Sequence, residues 1–358
     1  MSTNNLLDFR PRHIRSKLGA HSKVCLLSSR TILDALKNEE LITMACNIRI
    51  KHVVPGIMKA AQELDAVVAF EIAKSEGGLD GGYTGFVPQT FWDMITGYAE
   101  ETGYTKPFFI HGDHITIKNK TQEEIESSRK LIEAELKAGF TSFCVDASFN
   151  EIPDNIRITT DLAKPLMKEE VGLEVEVGEI THVGKEGRLS TVEESVQFIS
   201  GLVKNGIKPN LLAVYNGSKH GNYRPGEEVH IDLNRTKEIY DAVKSYGVSI
   251  AQHGITGTPK PLLGQFTKHG IRKGNVGTEW QNVAHRNLPK DLMDRMKKWA
   301  EENGQNIKMA TKPFLEEINS ISKEDAQRCI DGAYREAKEF IFAFNAKDSA
   351  SLLAKKLQ

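Results

Sequence analysis

The chain has 358 residues, 39% of them hydrophobic, with 47 basic and 48 acidic side chains and a formal net charge of −1. That length suits one large domain or two smaller ones, and the balanced charge offers no whole-chain attraction to a polyanion, so no nucleic-acid partner is expected. The first residues, MSTNNLLDFRPRH, lack an apolar signal core and no run of about 18 apolar residues follows, so neither secretion nor a membrane partner is expected. The four cysteines (Cys25, Cys46, Cys144, Cys329) have no paired spacing and read as reduced thiols of a cytoplasmic protein.

Residues 1–40 read as a leading segment with a helix over Ser29–Leu41. Apolar runs then alternate with amphipathic ones. Strands are predicted at Ile42–Ile48, Ala66–Glu71, Pro107–Ile110, Thr141–Val145, Val171–Val177, Leu211–Tyr215, Val248–Gln252 and Gly270–Val276. Helices are predicted at Val53–Glu63, Gln89–Glu101, Thr121–Ala138, Asp154–Glu169, Leu233–Tyr246, Lys260–Lys268, Asp291–Asn303 and Lys323–Phe344. Thr121 with Glu124 makes a capping box, and Gly139 ends that helix. Short apolar runs of this kind suit strands buried on both faces of a parallel sheet. Eight of them alternating with helices over roughly 250 residues predict an α/β fold, a (β/α)8 TIM barrel. The expected layout is a single unit over 1–358, with the barrel at about 42–285 and a C-terminal helical extension at about 286–358, besides the N-terminal helical one.

The third strand leads into His111-Gly112-Asp113-His114, an acid and an imidazole where such barrels place their chemistry. They are a candidate base and a candidate metal ligand, or else a satisfied polar cap on a strand end. Ser75, Asp146, Glu176, His220, His253 and Asn275 fall at the ends of other predicted strands. Each histidine alone suits a structural role. Three of them after strands three, six and seven form a catalytic zinc set, with carboxylates near enough to hold a second ion. Glu174 and Glu176 share one side of the fifth strand, where acids need partners. Gly221 and Gly254 directly follow two of the histidines, and the turn Gly254–Pro259 opens a helix, which makes a phosphate cup.

On these stretches the chain resembles the class II, metal-dependent fructose-bisphosphate aldolases and their ketose-bisphosphate relatives. The resemblance runs from about Met44 to Val283 and is carried by Asp113-His114, residues 139–148 (GFTSFCVDAS), 173–178 (LEVEVG) and 217–226 (GSKHGNYRPG), the His253-Gly254 turn and 273–278 (KGNVGT). It implies that His114, His220 and His253 hold a catalytic Zn2+. Asp146 and Glu176 would hold a second divalent or a monovalent cation. Asp113 would move a proton at the aldehyde oxygen. Gly221, Gly254, Thr256, Asn275 and Thr278 would bind dihydroxyacetone phosphate, with Ser75 near the substrate carbonyl. Arg335 would reach the far phosphate from a neighbouring subunit of a homodimer or larger homo-oligomer.

The reaction implied is reversible cleavage of a sugar phosphate, fructose 1,6-bisphosphate, to dihydroxyacetone phosphate and glyceraldehyde 3-phosphate. The chain departs from the family at Gly112 and Ile115, at Gly277, where fructose-specific members carry an acid, and in a shorter loop Glu179–Arg188, where Glu186 is the candidate acid for the enediolate carbon. Tagatose 1,6-bisphosphate or another anionic ketose is therefore the alternative substrate. The same residues could serve a metal-dependent barrel hydrolase, a Schiff-base aldolase using Lys219 or Lys273, or a binding protein.

Overall fold

The computed structural model describes residues 3–178, 187–219, 221–222 and 230–358. Eight parallel strands close into one barrel in chain order. They are β1 (Thr43–Asn47), β2 (Val68–Ala73), β3 (Phe108–Thr116), β4 (Ser142–Asp146), β5 (Gly172–Val177), β6 (Leu211–Val214), β7 (Ser249–Gln252) and β8 (Ile271–Val276). The expected TIM barrel with flanking helices is what forms. Nearly every strand residue is buried, because helices cover the outside and side chains fill the inside.

The leading segment holds a short helix at Arg12–Leu18 that was not anticipated, and its expected helix, Ser29–Leu36, is shorter than the sequence pattern suggested. Its Ser29 Oγ meets Ser142 Oγ at 2.7 Å, at the start of β4. Leu33 clusters with Leu211, Ala213 and Ala251, and Leu36 with Ala45 and Ala69. The helix thus crosses the N-terminal mouth of the barrel, and small inward residues on β1, β2, β6 and β7 make room for it. Among the described residues, the cavity opens at the C-terminal mouth, the end at which a ligand would enter.

The structure departs from the sequence expectations at three further points. The third strand does not stop at Ile110 but continues to Thr116, so Asp113 and His114 lie inside a strand. A register shift between Gly112 and Ile115 lets the strand carry them without breaking off. The helix Val192–Lys204, between β5 and β6, was not anticipated, although Thr191 and Glu194 form a reciprocal capping box at its start. The box expected at Thr121 is half made: Thr121 accepts from Glu124 N, while the Glu124 carboxylate pairs with Lys74. After the barrel, the long helix Lys323–Ala343 packs along the helices Val54–Glu63 and Thr278–Asn287, burying Cys329, Ala333, Ala337, Phe340 and Ile341.

Candidate active site

The chemistry at the open mouth starts from the bulge in β3. Gly112 faces outward, where an added Cβ would lie 2.1 Å from Glu135 Oε2 of the following helix. That helix therefore meets bare backbone. His114 has φ +40°, a left-handed conformation that a non-glycine residue adopts at some cost and that clusters at functional sites. The bulge breaks the inside–outside alternation and aims both Asp113 and His114 into the mouth.

Around them the fold assembles the donors that three other strands supply. His253 follows β7, and its ring centroid lies 4.4 Å from that of His114. Ligand atoms of Asp113, His114 and His253 lie within 4.8 Å of one another, as do those of His114, Asp146 and Glu176. His114 Nδ1 is 2.7 Å from Glu176 Oε1 and 3.6 Å from Asp146 Oδ2. Burial alone would lower the His114 imidazole, but Glu176 and Asp113 outweigh it and hold it well above its usual range. Asp146 is oriented by Ser148, whose Oγ and N donate to Oδ1 at 2.6 and 3.1 Å. The Cys144 thiol donates to Glu176 Oε1 at 3.1 Å. His253 Nε2 lies 2.9 Å from Glu174 Oε1, a contact that orients the ring. Imidazole nitrogens with two further carboxylates, each held by a neighbour, fit a divalent cation. His220 and Glu186 lie outside the described residues.

Asp113 is gripped from both sides. Asn47 Nδ2 donates to Oδ2 at 2.8 Å and Asn275 Nδ2 to Oδ1 at 3.0 Å. Burial would raise this carboxyl, yet His114, Lys273 and His253 hold it well below the usual range, so it is a carboxylate. Asn275, which also lines the cavity, joins Asp113 to Lys273, whose Nζ donates to Asn275 Oδ1 at 2.9 Å.

Below this level the barrel interior is ionic. Lys273 Nζ meets Glu174 Oε2 at 2.9 Å and Glu71 Oε2 at 3.0 Å, all three fully buried. Burial would lower the lysine, but the two acids raise it, so it is an ammonium without a lone pair for Schiff-base chemistry. His111, pushed down to about 3 by burial and by Lys273, is neutral and bonds Ser142 Oγ through Nδ1 at 2.7 Å. Sequence reasoning passed over Glu71, His111 and Asn47. The period-2 placement of Glu71 and of His111 on strands was the available signal.

A cavity of about 1030 Å3 opens above these groups and is lined by Ser75, Gly221, Gly254, Thr256 and Thr278, as well as Asp113, His114, Asp146, Glu176, His253 and Asn275. Ser75 is exposed in the loop after β2. Gly221 and Gly254 have φ of +100° and +69°, the turn geometry expected of them. Arg49, Glu76, Tyr83 and Lys308 also line the cavity and were not anticipated. Arg335 does not line it: it stands exposed on the helix Lys323–Ala343, and Lys260 takes both Glu336 and Glu339.

A family model described as fructose-bisphosphate aldolase class-II matches residues 27–331. The fructose-bisphosphate aldolase of Geobacillus stearothermophilus is 27% identical over 261 residues, covering 72% of this chain and 82% of that one. That of Streptococcus pneumoniae serotype 4 is 25% identical over 263 residues, covering 72% and 80%. Among solved structures, the YdjI aldolase from Escherichia coli K12 superposes with a TM-score of 0.64 at 19% identity, covering 91% of this chain and 99% of that one. The fructose-bisphosphate aldolase from Campylobacter jejuni gives 0.63 at 17%, covering 96% and 99%. At these identities the superpositions speak for the fold.

Proposed function

Because the chain belongs to the class-II fructose-bisphosphate aldolase family, we propose that it cleaves fructose 1,6-bisphosphate reversibly to dihydroxyacetone phosphate and glyceraldehyde 3-phosphate. As a class II aldolase it is a carbon–carbon lyase. The observation that carries the reading is the Asp113 carboxylate, held by two asparagines beside His114 and His253 at the C-terminal mouth of the barrel.

In this reading zinc is held by His114, His253 and His220, with Asp146 and Glu176 available to a second divalent or a monovalent cation. When bound, the metal would supply Lewis-acid stabilisation of the charge that develops at the ketose carbonyl. Asp113 takes the proton from the C4 hydroxyl as the C3–C4 bond breaks, and returns it to the aldehyde oxygen in condensation. Asn47 and Asn275 hold both of its oxygens, so it meets the substrate in one orientation. Gly221, Gly254, Thr256, Asn275 and Thr278 bind the dihydroxyacetone phosphate half, with Ser75 near the substrate carbonyl. Glu186 moves the proton on the dihydroxyacetone phosphate carbon. Arg335 would serve only from a neighbouring subunit of a homo-oligomer. No helix among the described residues is long and apolar enough to cross a membrane, in keeping with a cytoplasmic enzyme of sugar-phosphate metabolism.

Tagatose 1,6-bisphosphate is the second reading, supported by Gly277, whose missing side chain leaves room that Arg49 uses: a Cβ there would lie 3.1 Å from Arg49 Nη2. The test is the purified protein with each bisphosphate, with and without a chelator. A pair of carbonyl products, lost on chelation and restored by zinc, is expected from one of them. Phosphate release without triose products would point to a hydrolase, and a chelator-insensitive rate would remove the metal from the scheme.

A further inference from the structure

One buried acid at the mouth has no task in the aldolase scheme. Glu76 lies in the loop after β2, only 4% exposed, and both of its carboxylate oxygens are occupied. Oε1 accepts from Arg49 Nε at 2.8 Å and from Tyr83 Oη at 3.3 Å. Oε2 accepts from the Ala73 amide at 3.1 Å and from Asn47 Nδ2 at 3.2 Å. The same Asn47 nitrogen donates to Asp113 Oδ2 at 2.8 Å. A side-chain amide has two hydrogens on its nitrogen, and here each goes to a different carboxylate. Glu76 is therefore one amide away from the group that moves the proton.

Glu76 is itself fastened. Its partner Arg49 is committed on the far side to Gln281, whose Oε1 accepts from Nη1 at 3.0 Å. Its own backbone carbonyl accepts from Thr84 N at 3.1 Å and from Thr84 Oγ1 at 2.8 Å. Ala73, whose amide holds Oε2, is the residue paired with Asp113 between β2 and β3. The other end of the Asn47 amide faces Gly277, where an added Cβ would lie 3.2 Å from Asn47 Oδ1. Turned over by half a turn, an asparagine amide fills almost the same volume, so hydrogen bonds decide which end faces which neighbour. Asp113 alone disfavours the turned form, because an oxygen would then face its carboxylate. Glu76 sets a second carboxylate on the same side and strengthens that choice.

Resting on the aldolase reading, we propose that Glu76 is a positioning residue for the carbon–carbon bond step: it keeps the NH2 end of Asn47 turned to Asp113, and so keeps that carboxylate in the orientation from which it exchanges a proton with the C4 oxygen. A glutamine at position 76 has the same shape and cannot satisfy the same four donors. With its oxygen at Arg49, its NH2 faces the Asn47 NH2 and the Ala73 amide. With its NH2 at Arg49, two donors meet there instead. The first conflict is relieved when the Asn47 amide turns over, which sets Oδ1 against Asp113 and dislodges it.

The test compares two reactions of the zinc-loaded protein, cleavage of the ketose bisphosphate and hydrogen exchange on dihydroxyacetone phosphate, of which only the first uses Asp113. Glu76→Gln is expected to lower kcat of cleavage by about 10- to 100-fold, the range for a hydrogen bond to a charged group, and to leave exchange and zinc content as in the wild type. In an Asp113→Ala background the same substitution is expected to cost cleavage nothing more, because its effect passes through Asp113. Glu76→Asp keeps the charge beside Arg49 and falls short of Asn47. It is expected to show the same selective loss, and it carries the comparison if Glu76→Gln does not fold. Unchanged cleavage, equal losses in the two reactions, or an equal loss with and without Asp113 would make Glu76 a counter-ion of Arg49 only and overturn the proposal. A measurement without turnover separates this from the aldolase reading. The Asn47 side-chain amide, identified by the NMR signal that Asn47→Ala removes, should exchange its hydrogens with solvent about 10-fold or more faster in Glu76→Gln than in the wild type. That result supports the positioning role even where the wild type makes no triose products, in which case only the aldolase reading falls. Equal exchange rates in the two proteins overturn the positioning role itself.

Discussion

Glu174 Oε1 lies 2.9 Å from His253 Nε2 in the barrel interior, with Lys273 on the other carboxylate oxygen. The carboxylate fixes the ring orientation, and in the proposed scheme it would favour Nδ1 as the nitrogen offered to the metal. Glu174→Gln keeps the shape and removes the charge. It is expected to weaken metal affinity by about 10-fold or more, in line with outer partners of ligating histidines. Competition with a chromophoric chelator measures this, with circular dichroism to show an intact fold. Unchanged affinity would mean that Glu174 serves the core and not the metal.

Asp113 accepts hydrogen bonds from Asn47 and Asn275 through its two carboxylate oxygens. Removing it leaves Asn47 and Asn275 bonded elsewhere, to Glu76 and Lys273, so the fold is expected to survive. Asp113→Ala should bind metal as the wild type does and lose about 10²–10⁴-fold in cleavage, the usual contribution of a positioned acid–base group. Hydrogen exchange on dihydroxyacetone phosphate, which needs no proton at the aldehyde oxygen, should persist. Loss of both reactions together would assign Asp113 to binding.

Gly112 is a matter of space. An added methyl would lie 2.1 Å from Glu135 Oε2, and Glu135 is itself buried with a carboxyl that burial raises well above its usual range. With no solvent to retreat into, the side chain or β3 must shift. Gly112→Ala is expected to cost about 1–3 kcal/mol in chemical denaturation. Glu135→Ala in the same chain should recover part of that, as coupled neighbours do. Additive losses would place the strain elsewhere.

The barrel could be read from the chain because strands buried on both faces leave apolar runs, and all eight were located, seven of them within two residues at each end and the third with its C-terminal half missed. The candidate residues that line the mouth could be read too, since polar residues at the ends of such runs stand out. What escaped detection depends on tertiary contacts. The β3 bulge follows from Gly112 meeting Glu135, 23 positions along the chain by the numbering, and no local pattern announces it. Lys308 reaches the mouth only because the 303–321 segment folds back onto the loop after β2. Lys273 looked like a possible nucleophile, and only its burial between Glu71 and Glu174 shows it to be a permanent cation.

That burial makes Lys273 the best place to test the interior electrostatics. Two acids share one ammonium. Burial would raise both, and the lysine overcomes this for Glu174, which is lowered, while Glu71 stays raised. Lys273→Met removes the cation and leaves buried acids without it, an imbalance that costs about 3–5 kcal/mol. The pH dependence gives the sign. In the wild type a lowered Glu174 contributes stability above the unfolded carboxyl pKa of about 4.3, lost as pH falls below it. In the variant both acids have folded pKa values above the unfolded one, so the folded state holds the extra protons. Its stability is then greatest at low pH and falls as pH rises past about 4 toward the raised pKa. The gap in stability between wild type and Lys273→Met should therefore widen from pH 4 to pH 7. Urea unfolding of both proteins with a chelator present, at several pH values across that range, measures it. A gap that stays constant with pH would mean that Glu71 and Glu174 do not take up protons when the lysine is gone, and that the cost is one of packing.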